Sequence, residues 1–282
     1  MTSYLRARSQ NGQWLVRIED VDPPREQPGA GDAIVAALEA YGFEWDGDLI
    51  WQSVSKAEHD AAVAKLLKEK MAYPCGCSRR DLADAPRSSL GVVYPGTCRN
   101  GCDQTDTAIR VRTIDDPVSF DDLLQGKQSQ RLESESGDFI ILRRDGLIAY
   151  HLAVVVDDHL QGITEIVRGI DLMDSTPRQI WLQQLLGYST PDYMHIPVAA
   201  HPDGQKLSKL TGANGIPMRG KRSVLIAALD ALRLNPPRDL AASTLADIWA
   251  WAINNWRIDQ LVMRTMILVD ADAMAKRENP VS

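Results

Sequence analysis

Apolar residues recur every three or four positions in two segments of the N-terminal part of the chain, and this spacing predicts amphipathic helices. The first segment covers residues 29–43 and ends at Gly42, which we expect to act as a C-cap. The second begins at Ser55, because Ser55 and Glu58 have the spacing of a capping box. The side chains predicted to face the core from these helices are Ile34, Ala37, Leu38, Tyr41, Ala62, Val63, Leu66 and Leu67.

Two further helices are predicted closer to the C-terminus. Residues 174–188 have Thr176 at the expected N-cap, Pro177 in the first turn and Gly187 at the end. Residues 243–256 place leucine, isoleucine and tryptophan side chains on one face. We expect these indoles to lie in the core rather than to stack on a ligand.

Continuous apolar runs between the helices predict buried strands. The segments concerned are residues 13–22, 108–114, 138–144, 147–159 and 165–171. Strands that alternate with helices favour an α/β core with a parallel sheet.

Composition and charge limit the classes of protein to consider. Apolar residues make up 44% of the chain and charged residues 24%, as in ordinary folded proteins. The net charge of −7 argues against a general nucleic-acid coat, although a local basic face could still bind one RNA. The longest apolar run, residues 147–156, is shorter than the roughly 20 residues that cross a membrane. With no apolar signal region at the start, we expect a cytoplasmic protein.

All four cysteines lie between positions 75 and 102, within a segment of little periodicity, residues 73–105, that we expect to form a small module. Such clustering indicates a metal site more than disulfides in a reducing compartment. Zinc prefers four soft or borderline ligands in a tetrahedron, and close cysteine pairs supply them. The spacing leaves the fourth ligand open between Cys102 and a neighbouring oxygen or nitrogen donor. A set of thiols that binds no metal is the alternative.

Polar side chains lie near the ends of the predicted strands, where open α/β sheets bind their ligands. They are Arg17, Glu19, Tyr150 and Arg168, of which Tyr150 is expected at the start of a strand. An arginine can bind a carboxylate, a carboxylate can hold an ammonium group, and a tyrosine hydroxyl can do either. Together they would form an amino-acid site, although each alone is also typical of an ion pair or a surface position.

The segment 203–212, DGQKLSKLTG, places Lys206 and Lys209 on either side of Ser208. Mobile ammonium groups on a flexible, glycine-containing backbone can clamp phosphates. A solvated surface loop is the plainer interpretation of the same pair.

Four stretches together resemble the class I glutamyl-tRNA synthetases, and more closely their short branch, the glutamyl-Q tRNA(Asp) synthetases. They are LVRIEDVDPPRE (15–26), FEWDGDLIWQS (43–53), DFIILRRDGLIAYHLAVVVDDHLQGITEIVRGIDLMDSTPRQIWLQQLLG (138–187) and PDYMHIPVAAHPDGQKLSK (191–209). The resemblance runs from about residue 3 to about residue 257. It implies an α/β fold: a Rossmann-like class I aminoacyl-tRNA synthetase core with a small zinc-containing insertion and a helical C-terminal part.

The resemblance implies roles for the lysine segment. KLSK is similar to the family's Lys-Met-Ser-Lys-type loop, which meets the phosphates of ATP, with its Mg²⁺, while the amino acid is adenylated. Lys209 is expected to have the main catalytic role and Lys206 to support it, with Ser208 in the ATP site. Negative charge develops on the leaving pyrophosphate, and ammonium groups neutralise it.

The resemblance also assigns the remaining candidate residues. Glu19, Tyr150 and Arg168 match positions that bind L-glutamate in the family. The zinc ligands that it implies are Cys75, Cys77, Tyr94 and Cys98. In this set Tyr94 is the fourth ligand of a structural zinc, and Cys102 remains the alternative fourth ligand.

Chain length and one substitution favour the short branch. Only 73 residues follow Lys209, too few for the anticodon-binding region of a full glutamyl-tRNA synthetase, and Val154 stands where such synthetases usually have Asn. The branch implies transfer of activated glutamate to the queuosine base of tRNA(Asp), by a chain that we expect to be monomeric. The alternatives are a catalytic fragment of an ordinary glutamyl-tRNA synthetase and an inactive, truncated remnant that only binds RNA.

The domain division that follows has four parts. Residues 1–72 would form the first part of the catalytic core, 73–105 the zinc-binding insertion, 106–214 the second part of the core with the KLSK loop, and 215–282 a helical C-terminal region. The start of the chain lacks the first strand and the His-Ile-Gly-His-type signature of the family. We therefore expect an exposed strand edge in the core and little adenylation activity from this polypeptide.

Overall fold

The structure, a computed structural model, describes residues 1–21, 27–200, 216–261 and 263–268. Its helices are α1 (Thr2–Ser9), α2 (Ala30–Ala40), α3 (Lys56–Lys68), α4 (Leu132–Glu135), α5 (Tyr150–Leu160), α6 (Thr176–Leu186), α7 (Lys221–Ala231) and α8 (Leu245–Asn255). Its strands are β1 (Arg17–Ile18), β2 (Ile50–Trp51), β3 (Ala72–Cys75), β4 (Arg87–Ser88), β5 (Gly91–Val92), β6 (Ala108–Val111), β7 (Pro117–Asp122), β8 (Gly126–Arg131), β9 (Phe139–Leu142), β10 (Glu165–Gly169), β11 (Asp192–Ile196), β12 (Val198–Ala200) and β13 (Met266–Leu268). Lys206, Ser208 and Lys209 lie outside the described residues.

The largest sheet is mixed and has the strand order β10–β11–β7–β8. β10 and β11 run parallel, with Arg168 opposite His195, and β11 continues in parallel to β7 through Tyr193 and Asp122. β7 and β8 form an antiparallel hairpin. Within the described ranges β10 and β8 are the two edge strands of this sheet.

Of the smaller sheets, β1–β2 borders the cleft described below and β3–β6–β9 carries the cysteine segment. β1 and β2 form a parallel pair, so the long strand predicted for residues 13–22 is reduced to two residues. β3, β6 and β9 form an antiparallel sheet in which Cys75 lies opposite Ala108. The two ends of the cysteine segment therefore lie side by side, joined by strand pairing.

The strand predicted for residues 147–159 is wrong, because these residues form α5. Every residue from Leu152 to Asp157 is buried, since α5 packs against α3, α6 and β9. A helix covered on all sides has the same continuous apolar sequence as a buried strand. The β-branched run Val154–Val156 added to the strand signal. Tyr150 consequently begins a helix rather than a strand.

The predicted N-terminal helices are confirmed as α2 and α3, but two side chains expected in the core are not there. Ile34 is 52% exposed and Leu67 is 36% exposed. The capping box predicted at Ser55 is also wrong, because its side chain makes no capping hydrogen bond. Residues 52–55 form a 3₁₀ turn that runs directly into α3, so Ser55 lacks the extended backbone that a capping side chain needs.

The helices predicted at residues 174–188 and 243–256 are confirmed as α6 and α8. Gly187 ends α6 in the left-handed conformation, with φ at 75°. Thr176 is the first residue of α6 and not its N-cap, and its hydroxyl contacts the side chain of Arg168 instead. No helix in the described ranges is long and apolar enough to cross a membrane.

Candidate active site and metal centre

A cleft of about 570 Å³ opens between β1, the first turn of α5, β10 and α1. Its walls include Glu19, Tyr150 and Arg168, which the sequence predicts as one amino-acid site. Glu19 follows β1, Tyr150 begins α5 and Arg168 lies in β10. The fold thus brings together three candidate residues that are far apart in the chain.

The guanidinium of Arg17 contacts several acceptors beside this cleft. Its Nη2 lies 2.9 Å from Asp158 Oδ1 but 3.6 Å from Glu19 Oε1. Its Nη1 donates a hydrogen bond to Gln161 Oε1 at 2.5 Å. Glu19 is therefore only loosely paired, and 43% of its side chain is exposed to the cleft and solvent.

Two carboxylates of the cleft, those of Glu19 and Asp158, have raised pKa values. Burial raises the pKa of Glu19, and the neighbouring charge of Asp158 adds to this while Arg17 opposes it. Burial likewise raises the pKa of Asp158 against the effect of Arg17. A bound ammonium group would therefore stabilise the charged forms of both acids.

Arg168 supplies a positive charge from another wall of the cleft. Its Nε donates to Nε2 of His195 at 3.1 Å, and its Nη2 donates to Oγ1 of Thr176 at 2.7 Å. Its guanidinium carbon lies 5.4 Å from the ring centroid of Tyr193. Among the described residues its Nη1 has no hydrogen-bond partner, so it remains available to a ligand.

The Tyr150 hydroxyl adds a neutral donor. Burial raises its pKa, although the charge of Arg168 opposes this, so the hydroxyl stays protonated at neutral pH. A cation, two carboxylates and a phenol in one cleft suit a ligand that carries both an ammonium and a carboxylate group.

Sequence reasoning missed the residues beneath Arg168. His195 Nδ1 lies 2.6 Å from Oδ2 of Asp122, and both side chains are fully buried. The available signal was a histidine inside the apolar stretch 193–196, where an unpaired imidazole would be costly. Nothing in the spacing pointed to Asp122 as its partner.

The cysteine segment places four donor atoms close together. The hydroxyl oxygen of Tyr94 lies 3.3 Å from the sulfur of Cys75 and 3.6 Å from that of Cys77. The sulfurs of Cys77 and Cys98 are 3.5 Å apart. The three cysteine sulfurs all lie within 4.8 Å of one another, and Cys102 is not a member of this group.

These separations fit a tetrahedral zinc ion. Zinc–sulfur bonds of about 2.3 Å and zinc–oxygen bonds of about 2.0 Å place tetrahedral ligands roughly 3.5–3.8 Å apart. Burial raises the pKa of the Cys77 thiol to about 11, so metal binding would have to displace its proton. Arg110 brings a positive charge to this group: its Nε lies 3.3 Å from the sulfur of Cys75, and its guanidinium stacks 3.9 Å over the ring of Tyr94.

Comparison with known sequences identifies the family. Residues 1–215 match the family model described as tRNA synthetases class I (E and Q), catalytic domain. The chain is 49% identical over 257 residues to a glutamyl-Q tRNA(Asp) synthetase of Ectopseudomonas mendocina, which covers 91% of this chain and 86% of the relative. It is 47% identical over 274 residues to that of Dechloromonas aromatica, with 95% and 91% covered.

Comparison with solved structures agrees at the level of the fold. The glutamate-tRNA synthetase of Elizabethkingia anophelis superimposes with a TM-score of 0.77 at 21% identity, over 97% of this chain. A glutamate tRNA ligase from Elizabethkingia meningosepticum, solved in complex with its amino acid, also gives 0.77, at 22% identity. The chain spans 64% and 63% of the length of these two proteins.

The sequence resemblance and the α/β architecture are confirmed together by these matches. The chain belongs to the class I tRNA synthetases for glutamate and glutamine, and within them to the glutamyl-Q tRNA(Asp) synthetases.

Proposed function

We propose that this protein activates L-glutamate with ATP and transfers the glutamyl group to the queuosine base of tRNA(Asp). The family membership supports the reaction class, and the names of the relatives supply the acceptor. The observation that carries the amino-acid part of the proposal is the charge pattern of the cleft, with Glu19 and Asp158 negative and Arg168 positive.

The residues of the cleft have complementary roles in binding glutamate. Glu19 holds the substrate ammonium group, since it is the acid with the weakest pairing to Arg17. The free Nη1 of Arg168 binds a substrate carboxylate, and the Tyr150 hydroxyl donates a further hydrogen bond. These contacts orient the reacting carboxylate before chemistry begins.

The reaction has two steps. A carboxylate oxygen of glutamate attacks the α-phosphorus of ATP, so that an acyl-phosphate bond forms and pyrophosphate leaves. A hydroxyl of the queuosine cyclopentenediol then attacks the acyl carbon, so that an ester forms and AMP leaves. Lys209, supported by Lys206 and Ser208, neutralises the charge on the leaving pyrophosphate, and Mg²⁺ accompanies ATP.

The cysteine segment holds a structural zinc through Cys75, Cys77, Tyr94 and Cys98. A closed set of four protein ligands leaves no open position, which suits a structural role rather than a catalytic one. With tRNA and ATP as partners, the protein works in the cytoplasm, and we propose that it does so as a monomer.

The decisive experiment is glutamate-dependent, ATP-driven acylation of queuosine-containing tRNA(Asp). The matched controls are tRNA(Asp) without queuosine and tRNA(Glu). Of the three tRNAs, we expect only the queuosine-containing tRNA(Asp) to be acylated.

Each contrary result has a distinct meaning. Charging of tRNA(Glu) in place of tRNA(Asp) would identify an ordinary glutamyl-tRNA synthetase fragment. RNA binding without ATP–pyrophosphate exchange would identify a non-catalytic remnant.

A further inference from the structure

Arg168 is anchored from below by two buried acceptors. Its Nε–H points to Nε2 of His195 at 3.1 Å, and one Nη2 hydrogen points to the Thr176 hydroxyl at 2.7 Å. His195 and Thr176 are both completely buried. These two residues therefore hold the guanidinium from the protein side and do not line the cleft themselves.

His195 can accept from Arg168 only if its Nε2 carries no proton. Oδ2 of Asp122 lies 2.6 Å from Nδ1 of His195, which places the imidazole proton on Nδ1. A doubly protonated ring would direct its Nε2–H at the Nε–H of Arg168. The neutral Nδ1–H tautomer is thus the form that satisfies both neighbours.

Asp122 is in turn held as a carboxylate. Its Oδ1 accepts the backbone N–H groups of Leu124 and Gln125 at 3.0 and 2.9 Å. Burial raises the pKa of Asp122, but the hydrogen bonds from His195 and from these backbone groups outweigh it, and the pKa lies below its ordinary value. The charged acceptor therefore persists at neutral pH.

The strand register makes this chain of contacts a property of the sheet. Arg168 and His195 are directly paired across β10 and β11, and β11 meets β7 at Tyr193 and Asp122. Asp122, His195 and Arg168 thus lie on three neighbouring parallel strands, β7, β11 and β10, and their contacts run from the interior of the sheet to the cleft.

We propose that Asp122, His195 and Thr176 are positioning residues for the glutamate site: Asp122 fixes the tautomer of His195, and His195 and Thr176 fix the guanidinium of Arg168. The inference rests on the proposed function, because it takes Arg168 as a ligand of the substrate carboxylate. A long arginine side chain loses rotamer freedom when it binds a ligand, and anchoring it beforehand lowers that cost.

A matched pair of variants distinguishes the contact of the His195 Nδ1 with Asp122 from the contact of its Nε2 with Arg168. His195→Asn keeps an amide at the Nδ1 position for Asp122 but has no atom at the Nε2 position. His195→Gln places an amide oxygen at the Nε2 position, where it can accept from Arg168. We expect His195→Asn to weaken glutamate binding about tenfold, as for the loss of one hydrogen bond to a charged group, with ATP binding unchanged. His195→Gln should stay within about threefold of the wild type.

Two readouts make the test independent of overall activity. Isothermal titration with L-glutamate and separately with ATP gives both affinities, and NMR gives the water-exchange rate of the Arg168 Nε–H. That exchange should be slow in the wild type and His195→Gln, and fast in His195→Asn. If His195→Asn does not fold, Thr176→Val replaces it, with the same expected weakening of glutamate binding. This variant removes the hydroxyl contacts with Nη2 of Arg168 at 2.7 Å and with Nε2 of His195 at 3.0 Å.

The outcomes distinguish this inference from the proposed function. Equal losses of glutamate and ATP affinity, or equal losses in His195→Asn and His195→Gln, would overturn the positioning role. Unchanged exchange of the Arg168 Nε–H in His195→Asn would overturn it as well. A wild-type protein that binds no glutamate would contradict the proposed function, while the exchange rates would still decide whether His195 holds Arg168.

Discussion

At the residue scale, the charges of the cleft differ in how firmly the protein holds them. Arg168 is bonded at two of its nitrogens, whereas Glu19 has only a 3.6 Å contact with Arg17. A loosely paired, partly buried carboxylate gains most from a new cation. Glu19 should therefore provide much of the selectivity for an ammonium-bearing ligand.

Replacing Glu19 by glutamine tests this directly. Glu19→Gln keeps the shape and removes the charge, so we expect the KM for glutamate to rise at least about tenfold while the KM for ATP stays unchanged. ATP–pyrophosphate exchange measures both constants. Asp20→Asn is the matched control, because Asp20 is the next residue but bonds to Ser53. Equal effects of the two substitutions would contradict the assignment.

The pH dependence of glutamate binding follows from the raised pKa of Glu19. Its carboxylate is charged above that raised value and becomes protonated as the pH falls through it. Glutamate affinity should therefore be full at neutral pH and decline on acidification earlier than an ordinary glutamate side chain would allow. Titration calorimetry across this range should show the decline in the wild type and a flatter profile in Glu19→Gln.

At the element scale, the sequence grouped the candidate residues better than it assigned the elements. Glu19, Tyr150 and Arg168 meet in one cleft as expected, although Tyr150 begins a helix and not a strand. The misassignment arose because burial on all sides removes periodicity, which is the signal that separates helix from strand. Asp122 and His195 could not be paired from sequence, since their contact depends on the register of two strands 73 positions apart.

The proposed set of zinc ligands gives a prediction for the cysteine segment. We expect one zinc ion per chain in the wild type and in Cys102→Ser, because Cys102 lies outside the donor group. Cys98→Ser and Tyr94→Phe each remove a donor and should weaken zinc binding at least about tenfold. Competition with a chelator, followed by elemental analysis, measures this. If Cys102→Ser loses zinc and Tyr94→Phe retains it, then Cys102 and not Tyr94 is the fourth ligand.

Asp138 joins the cysteine segment to β9. Its fully buried carboxylate accepts from Arg99 Nε at 2.6 Å and Nη2 at 2.7 Å, from the Thr113 backbone N–H at 2.8 Å, and from Tyr73. Burial raises its pKa, but these hydrogen bonds outweigh it and leave the pKa below its ordinary value. Its stabilising effect is thus present above the unfolded-state pKa and is lost as the pH falls towards the lower folded-state value.

Removal of this charge should be costly. We expect Asp138→Asn to lower the free energy of unfolding by about 3 kcal/mol, since it breaks a buried ion pair. The exposed pair of Asp145 with Arg143 provides the control, and Asp145→Asn should cost less than about 1 kcal/mol. Urea unfolding near pH 7 measures both, and similar values for the two variants would refute the distinction.

At the scale of the whole molecule, one apolar cluster joins the start of the described chain to its C-terminal helices. Trp249 of α8 packs at 4.9 Å from the ring of Tyr4 and 4.7 Å from that of Phe43, and its indole donates to the Tyr41 carbonyl at 2.9 Å. The C-terminal helices therefore support α1, which forms one wall of the cleft.

Truncating this indole should weaken the molecule as a whole. Trp249→Ala is expected to cost about 3–5 kcal/mol of unfolding free energy and, through α1, to reduce glutamate affinity. Trp251→Ala, at a half-buried position on the same helix, should cost less. Thermal unfolding with and without glutamate measures both effects. Equal losses in the two variants would show that the aromatic cluster has no special role.

The pairing of Cys75 with Ala108 has a consequence for how such a chain can change over time. The segment between these residues leaves the sheet at Cys75 and re-enters it at Ala108, directly opposite. Its length can therefore change without moving the two strands to which it is attached. The loop-closure entropy of such a segment varies only slowly with length. Insertions and deletions that spare Cys77, Tyr94, Cys98 and Arg99 should therefore be tolerated by the surrounding sheet, so the length of this segment can vary while the cleft keeps its geometry.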